Sequence, residues 1–138
     1  MSNIETGGCL CGELTYQFDR DAVISAHHCH CKDCQRSTGS GKATLIMVPN
    51  DALESKGELK TYTVVGTAGA HVNRGFCPTC GCQVMSHIDE MPTLKIIKVG
   101  TLDDSSWIKI DSSFWGDSAE DWSPVDERAP SFAANPPA

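Results

Sequence analysis

The sequence predicts a mainly β chain stapled by metal, and three observations predict it. Short apolar or alternating segments recur along the 138 residues, turn residues stand between them, and eight cysteines fall into glycine-flanked groups. A hydrophobic content of 40% at this length suits one compact core. One domain is expected over residues 1–132, with 133–138 as a fraying tail rich in alanine and proline.

The strand candidates, in order, are Leu14 to Phe18, Val23 to Ala26, Ala43 to Val48, Leu59 to Val65, His71 to Phe76, Val84 to Ile88 and Leu94 to Val99. Gly7-Gly8, Gly39-Ser40-Gly41, Pro49-Asn50-Asp51, Lys56-Gly57, Gly66, Cys77-Pro78 and Gly100 punctuate them, so the connections are short. Two places invite helix, one at Asp33 and one at Ala52-Leu53-Glu54. Neither sustains a helical period, and each is expected as a single turn.

Eleven Lys and Arg against 18 Asp and Glu give a formal charge of -7, and thiolates around a metal add to it. A phosphate-binding surface needs a basic stripe, so nucleic acid is not expected as a partner. No apolar run reaches the length of a membrane span. Met1 to Gly12 carries Glu5 and no apolar run of signal length, which reads as a cytoplasmic chain. In a reducing compartment dense cysteine points to metal and away from disulfides.

Gly8-Cys9-Leu10-Cys11-Gly12 and Phe76-Cys77-Pro78-Thr79-Cys80-Gly81 each offer two sulfurs on a tight turn, with glycine free to close it. Two plus two complete a tetrahedron, and four thiolates around zinc leave no position for substrate: a structural site. Cys29-His30-Cys31-Lys32-Asp33-Cys34 packs three thiols into one local unit. Three protein ligands leave a fourth position open for water or a substrate thiolate, as catalytic zinc sites do. Cys82 has two readings, a fourth ligand or a small buried thiol.

His27, His28 and His30 surround the second group. In extended chain His28 and His30 share one side and Cys29 and Cys31 the other, so the imidazoles serve better as neighbours or proton carriers than as ligands. Arg36 and Lys42 are candidates to hold a substrate carboxylate. His71 and His87 read as half-buried strand histidines. Trp107, Phe114, Trp115 and Trp122 read first as core and second as cover for a cleft.

The order of these motifs resembles the glutathione-dependent formaldehyde-activating enzyme family, which also includes the centromere protein V domain. The likeness rests on Gly7 to Gly12, on His28 to Arg36 with Thr38-Gly39, on Arg74 to Gly81, on Val99 to Asp104, and on the closing Arg128 to Phe132. It implies a β-tent of small antiparallel sheets joined at two zinc ions. Cys9, Cys11, Cys77 and Cys80 match the family's structural ligands, while Cys29, Cys31 and Cys34 match its reaction-associated site. The implied activity is a carbon-sulfur lyase resembling S-(hydroxymethyl)glutathione synthase, with a small thiol such as glutathione and an aldehyde as partners. A non-catalytic, zinc-stabilised protein-binding module is the alternative. Cys82 stands where small hydroxyl or apolar residues are usual in the family, and as a fourth thiolate it would close the open position.

Overall fold

The computed structural model describes residues 3–136. Its elements are β1 (Ile4–Gly8), β2 (Thr15–Asp19), β3 (Ser25–Cys29), α1 (Lys32–Thr38), β4 (Ala43–Pro49), β5 (Leu53–Lys56), β6 (Lys60–Val65), β7 (His71–Phe76), β8 (Gln83–Ile88), β9 (Leu94–Lys98) and β10 (Ser112–Phe114). The fold is mainly β, of small sheets, and all seven predicted segments contain or overlap strands. β3 starts two residues later than expected, because Val23 caps a 3-10 turn over Arg20–Ala22.

Three strands escaped the sequence reading. Three of the five residues of β1 are glycine or threonine, β5 alternates only weakly, and β10 has three residues, too few to show a period. The single turn expected at Asp33 is a helix of seven residues. Cys31 caps it, its Sγ accepting from the Cys34 N–H at 3.3 Å, and Gly39 ends it in the left-handed region with its N–H on the Gln35 carbonyl. At Asn50–Ala52 there is one 3-10 turn, and the expected continuation through Leu53-Glu54 is strand β5 instead.

The chain forms two compact units, each discontinuous in sequence: Met1–Ile24 with Ile46–Trp107, and Ser25–Leu45 with Ile108–Ala138. The first unit holds an antiparallel three-stranded sheet in the order β1-β2-β5 and an antiparallel ladder β9-β8-β7-β6. Alternation on β2 buries Tyr16 and Phe18, and Leu14, Val84 and Ile97 join them below 4% exposure in this unit's apolar interior. Trp107 packs at 6.3 Å on Phe18 and lies under the Arg20 guanidinium, 5.0 Å from the ring centre.

The second unit departs from an all-antiparallel expectation. β10 runs parallel to β3, pairing Ser112 with His27, Ser113 with His28 and Phe114 with Cys29. Phe114 stacks on His27 at 4.4 Å, and the His27 nitrogens contact Ser112 Oγ and Ser25 Oγ, each at 2.7 Å. Trp122 is 69% exposed, so it belongs to neither unit's core. Of the tail expected to fray, residues 137–138 lie outside the described residues. Ahead of them the Trp115 N–H donates to the Ala134 carbonyl, and its indole Nε1 donates to Asn135 Oδ1.

Candidate metal centres

Each unit carries one cysteine group. In the first unit, Cys9 and Cys11 sit on the turn after β1, and Cys77 and Cys80 on the turn after β7. Glycine is required at both turns. Gly12 and Gly81 adopt φ of +83° and +74°, and the Gly12 N–H closes its turn on the Cys9 carbonyl as the Gly81 N–H does on Cys77. A bulge in β7 at Gly75 sets where the second turn begins: register shifts between Arg74 and Phe76, and a Cβ at Gly75 would stand 2.2 Å from the Met85 carbonyl.

The four sulfurs of Cys9, Cys11, Cys77 and Cys80 lie within 4.8 Å of one another. Cys9 to Cys11 is 3.6 Å and Cys11 to Cys77 is 3.7 Å. Four thiolates bound at about 2.3 Å to one tetrahedral zinc are about 3.8 Å apart, so this donor set fits such an ion. Backbone N–H groups are aimed at the sulfurs. The Leu14 N–H donates to Cys9 Sγ at 3.3 Å and is the first reason that its pKa is held down to about 6. Cys80 is lowered by the N–H groups of Cys82 and Cys11. Cys11 receives help from the Glu13 N–H, but loss of solvation and the three neighbouring thiols outweigh it and push it up to about 12. A dication among the sulfurs relieves that crowding.

In the second unit, Cys29 at the end of β3, Cys31 at the helix cap and Cys34 in the first turn of α1 converge within 4.8 Å of one another. The Cys29 pKa is raised, first by the adjacent Cys31 and Cys34 thiols and then by burial; Cys31 is raised despite the Cys29 contact, by Cys34 and burial. The Gln35 side chain pins this bend, its Nε2 donating to the His30 carbonyl at 2.8 Å and to the Ser118 carbonyl at 2.9 Å. Both groups can hold a metal ion, and three thiols in the second leave room for another donor.

Cys82 stands in neither group. Its carbonyl accepts from the Cys77 N–H at 3.0 Å and its own N–H serves Cys80, so its backbone supports the first site. Strand alternation puts His28 on the side of β3 opposite Cys29, and neither His28 nor His30 joins the three-sulfur group. His28 Nδ1 contacts Thr44 Oγ1 at 2.8 Å, and its Nε2 lies 3.8 Å from Asp126, which the Arg128 fork holds at 2.9 and 3.0 Å. Burial first, and then Lys42, hold His28 below the ordinary histidine range. Asp126 and Thr44 went unread in the sequence, and Gln35 and Arg128 entered it only as parts of the motifs that carry the family resemblance. Arg36 is exposed, whereas Lys42 is partly buried. His71 is half exposed beside Glu90, and His87 is partly buried in β8.

The family model for the glutathione-dependent formaldehyde-activating enzyme matches residues 4–118. Among curated proteins no relative matches the sequence. A crystal structure of a Rhodobacter sphaeroides protein is similar in fold, with a TM-score of 0.57 at 20% identity over 92% of this chain and 99% of that one.

Proposed function

The chain belongs to the glutathione-dependent formaldehyde-activating enzyme family, and from that premise we propose that it is a zinc-dependent enzyme of the carbon-sulfur lyase type, joining a small thiol such as glutathione to an aldehyde such as formaldehyde. The observation that carries the reading is the three-thiol group, Cys29, Cys31 and Cys34, which no fourth Cys, His, Asp or Glu joins among the described residues. Zinc bound there supplies the Lewis acidity that keeps a thiol ionised at neutral pH.

Cys29, Cys31 and Cys34 would hold the ion, and three protein ligands would leave a position for the substrate sulfur. That sulfur bonds to the aldehyde carbon, the carbonyl π pair moves onto oxygen, and the proton lost by the thiol ends there. Nothing is oxidised or reduced. His28 and His30 are given no step in this reading. Cys9, Cys11, Cys77 and Cys80 would hold a second ion, with no position left for substrate, and eight free cysteines suit the cytoplasm.

The test is metal content followed by thiol titration of the cobalt-substituted protein, whose visible spectrum reports thiolate ligation. Two ions per chain are expected, one of which changes its spectrum with glutathione. Cys31→Ser is expected to remove one ion and all turnover while circular dichroism stays unchanged. Two ions inert to thiol would replace the enzyme reading with a structural module.

A further inference from the structure

Three of the four sheet edges are blunted. β5 has four residues and carries Glu54 and Lys56, β1 is bridged to Leu102 at Gly7, and β10 has three residues and is bridged to Ser131. Short length, charge and cover are the usual means of stopping one edge from pairing with another. β6 has none of them. It ends the ladder β9-β8-β7-β6, pairs with β7 alone among the described residues, and has neither proline nor bulge, with its single charge, Lys60, at the first position. Five of its six residues are exposed, Tyr62 at 68% and Val65 at 63%.

Two hydrogen bonds fix which groups this edge offers. The Gly66 N–H donates to the Ala70 carbonyl at 2.8 Å, and the Asp89 N–H donates to the His71 carbonyl at 3.1 Å. The second commits His71 to β8, and hence Val72, which pairs with Val64, to β6. Antiparallel ladders alternate bonded and non-bonded pairs, so Lys60, Tyr62 and Val64 bond β7, while Thr61, Thr63 and Val65 turn their N–H and C=O groups outward. A second β6, run antiparallel with Thr63 opposite Thr63, satisfies all of them: Thr61 of each copy meets Val65 of the other. In that register Tyr62 lies opposite Val64 of the second copy in a non-bonded pair, where side chains approach closest. A slip of two residues leaves an outward group unpaired, and a slip of one sends every side chain to the wrong face. Lys60 falls opposite Gly66, so no like charges are opposed, and its sign is opposite to the -7 of the copy it approaches.

We propose that β6 is a self-pairing edge, through which two copies of this chain dimerise about a two-fold axis at Thr63 and join their ladders into one antiparallel sheet. A second copy is the occupant because the strand is its own complement in hydrogen-bond register, in the Tyr62–Val64 contact and in charge. The dimer uses none of the sulfurs and so does not depend on the reaction proposed above. One strand from each copy makes a small contact, and half-association is expected at about 10–100 μM.

Sedimentation velocity of the metal-loaded full chain under reducing conditions, from well below to well above that concentration, measures the association, and amide hydrogen exchange followed by NMR locates it. A reversible monomer–dimer equilibrium is expected. The N–H groups of Thr61, Thr63 and Val65 should gain protection as concentration rises, whereas those of Tyr62 and Val64, bonded to β7, should be equally protected throughout. Thr63→Lys sets two ammonium groups opposite each other at the axis and should weaken the dimer about fivefold or more; Tyr62→Ser, which keeps every backbone group, should weaken it several-fold. Ser55→Lys adds the same charge to the β5 edge and should leave the equilibrium unchanged. A chain that stays monomeric over the whole range, a dimer that Thr63→Lys and Tyr62→Ser leave as tight as the parent's, or concentration-dependent protection that misses Thr61, Thr63 and Val65 overturns the proposal.

Discussion

Glu5 is 8% exposed in the middle of β1, and its Oε1 accepts from Arg20 Nη2 at 2.6 Å and from Nε at 3.1 Å. Removing the guanidinium strands a nearly buried carboxylate and uncovers Trp107, so Arg20→Ala should cost about 2 kcal/mol, read as a shift in the urea midpoint. Arg20 is itself 40% exposed, which keeps the loss below that of a fully buried pair. On the surface, His71 and Glu90 form a pair whose effect depends on pH. The Glu90 carboxylate, 3.0 Å from His71 Nδ1, raises the histidine pKa, and the His71 N–H lowers that of Glu90. A raised histidine contributes stability that is complete below about pH 6.5 and is lost as pH rises through its folded pKa; a lowered carboxylate contributes above about pH 4.3 and is lost on acidification. His71→Ala should therefore lower stability near pH 6 and leave it unchanged at pH 9, by a small amount because both groups are exposed. Equal losses at the two pH values would disprove the coupling.

At the scale of elements, α1 and β7 show how glycine fixes the positions of sulfurs. Gly39 closes α1 at φ +71° with open space around its missing Cβ, so Gly39→Ala should cost about 1 kcal/mol through backbone strain alone, measured by chemical denaturation. Gly75 is different, because its Cβ would strike the Met85 carbonyl and both Leu59 methyls. Gly75→Ala is expected to cost about 2 kcal/mol and to loosen the Cys77 turn, so that a chelator unfolds the variant at a lower concentration than the parent; equal chelator resistance would show that the bulge does not set the turn. These elements also mark what could be read beforehand. β7 was legible to the residue because its apolar positions alternate between clear turns. α1 was read too short because its N-cap is a cysteine, which carries no helix-start signal, and the tertiary bonds of Gln35 do the rest. The sulfurs that the cysteine spacings grouped are the ones that lie within 4.8 Å of one another in each group. The pairing of β3 with β10 was beyond reach, since a strand of three residues more than 80 positions away shows no period.

For the molecule as a whole, the two cysteine groups belong to different compact units, so their losses should differ in kind. A structural zinc site is worth about as much as the whole stability of a small domain, about 5–15 kcal/mol. A strong chelator should therefore abolish the sheet signal in circular dichroism, and Cys77→Ser should fail to fold, whereas Cys34→Ser should fold with a single ion. A Cys77→Ser chain as stable as the parent would show that the first group holds no structural metal. The interleaving of the units has a further consequence, for biosynthesis. The chain passes from one unit to the other after residues 24, 45 and 107. A ribosome making it delivers all four sulfurs of the first group by Cys80, but β10, the partner of β3, only near the end. β3 and its three sulfurs thus wait for more than half the length of the chain with one flank unpaired, and a nascent chain stalled between those points would expose thiols ready to take metal before their sheet is complete.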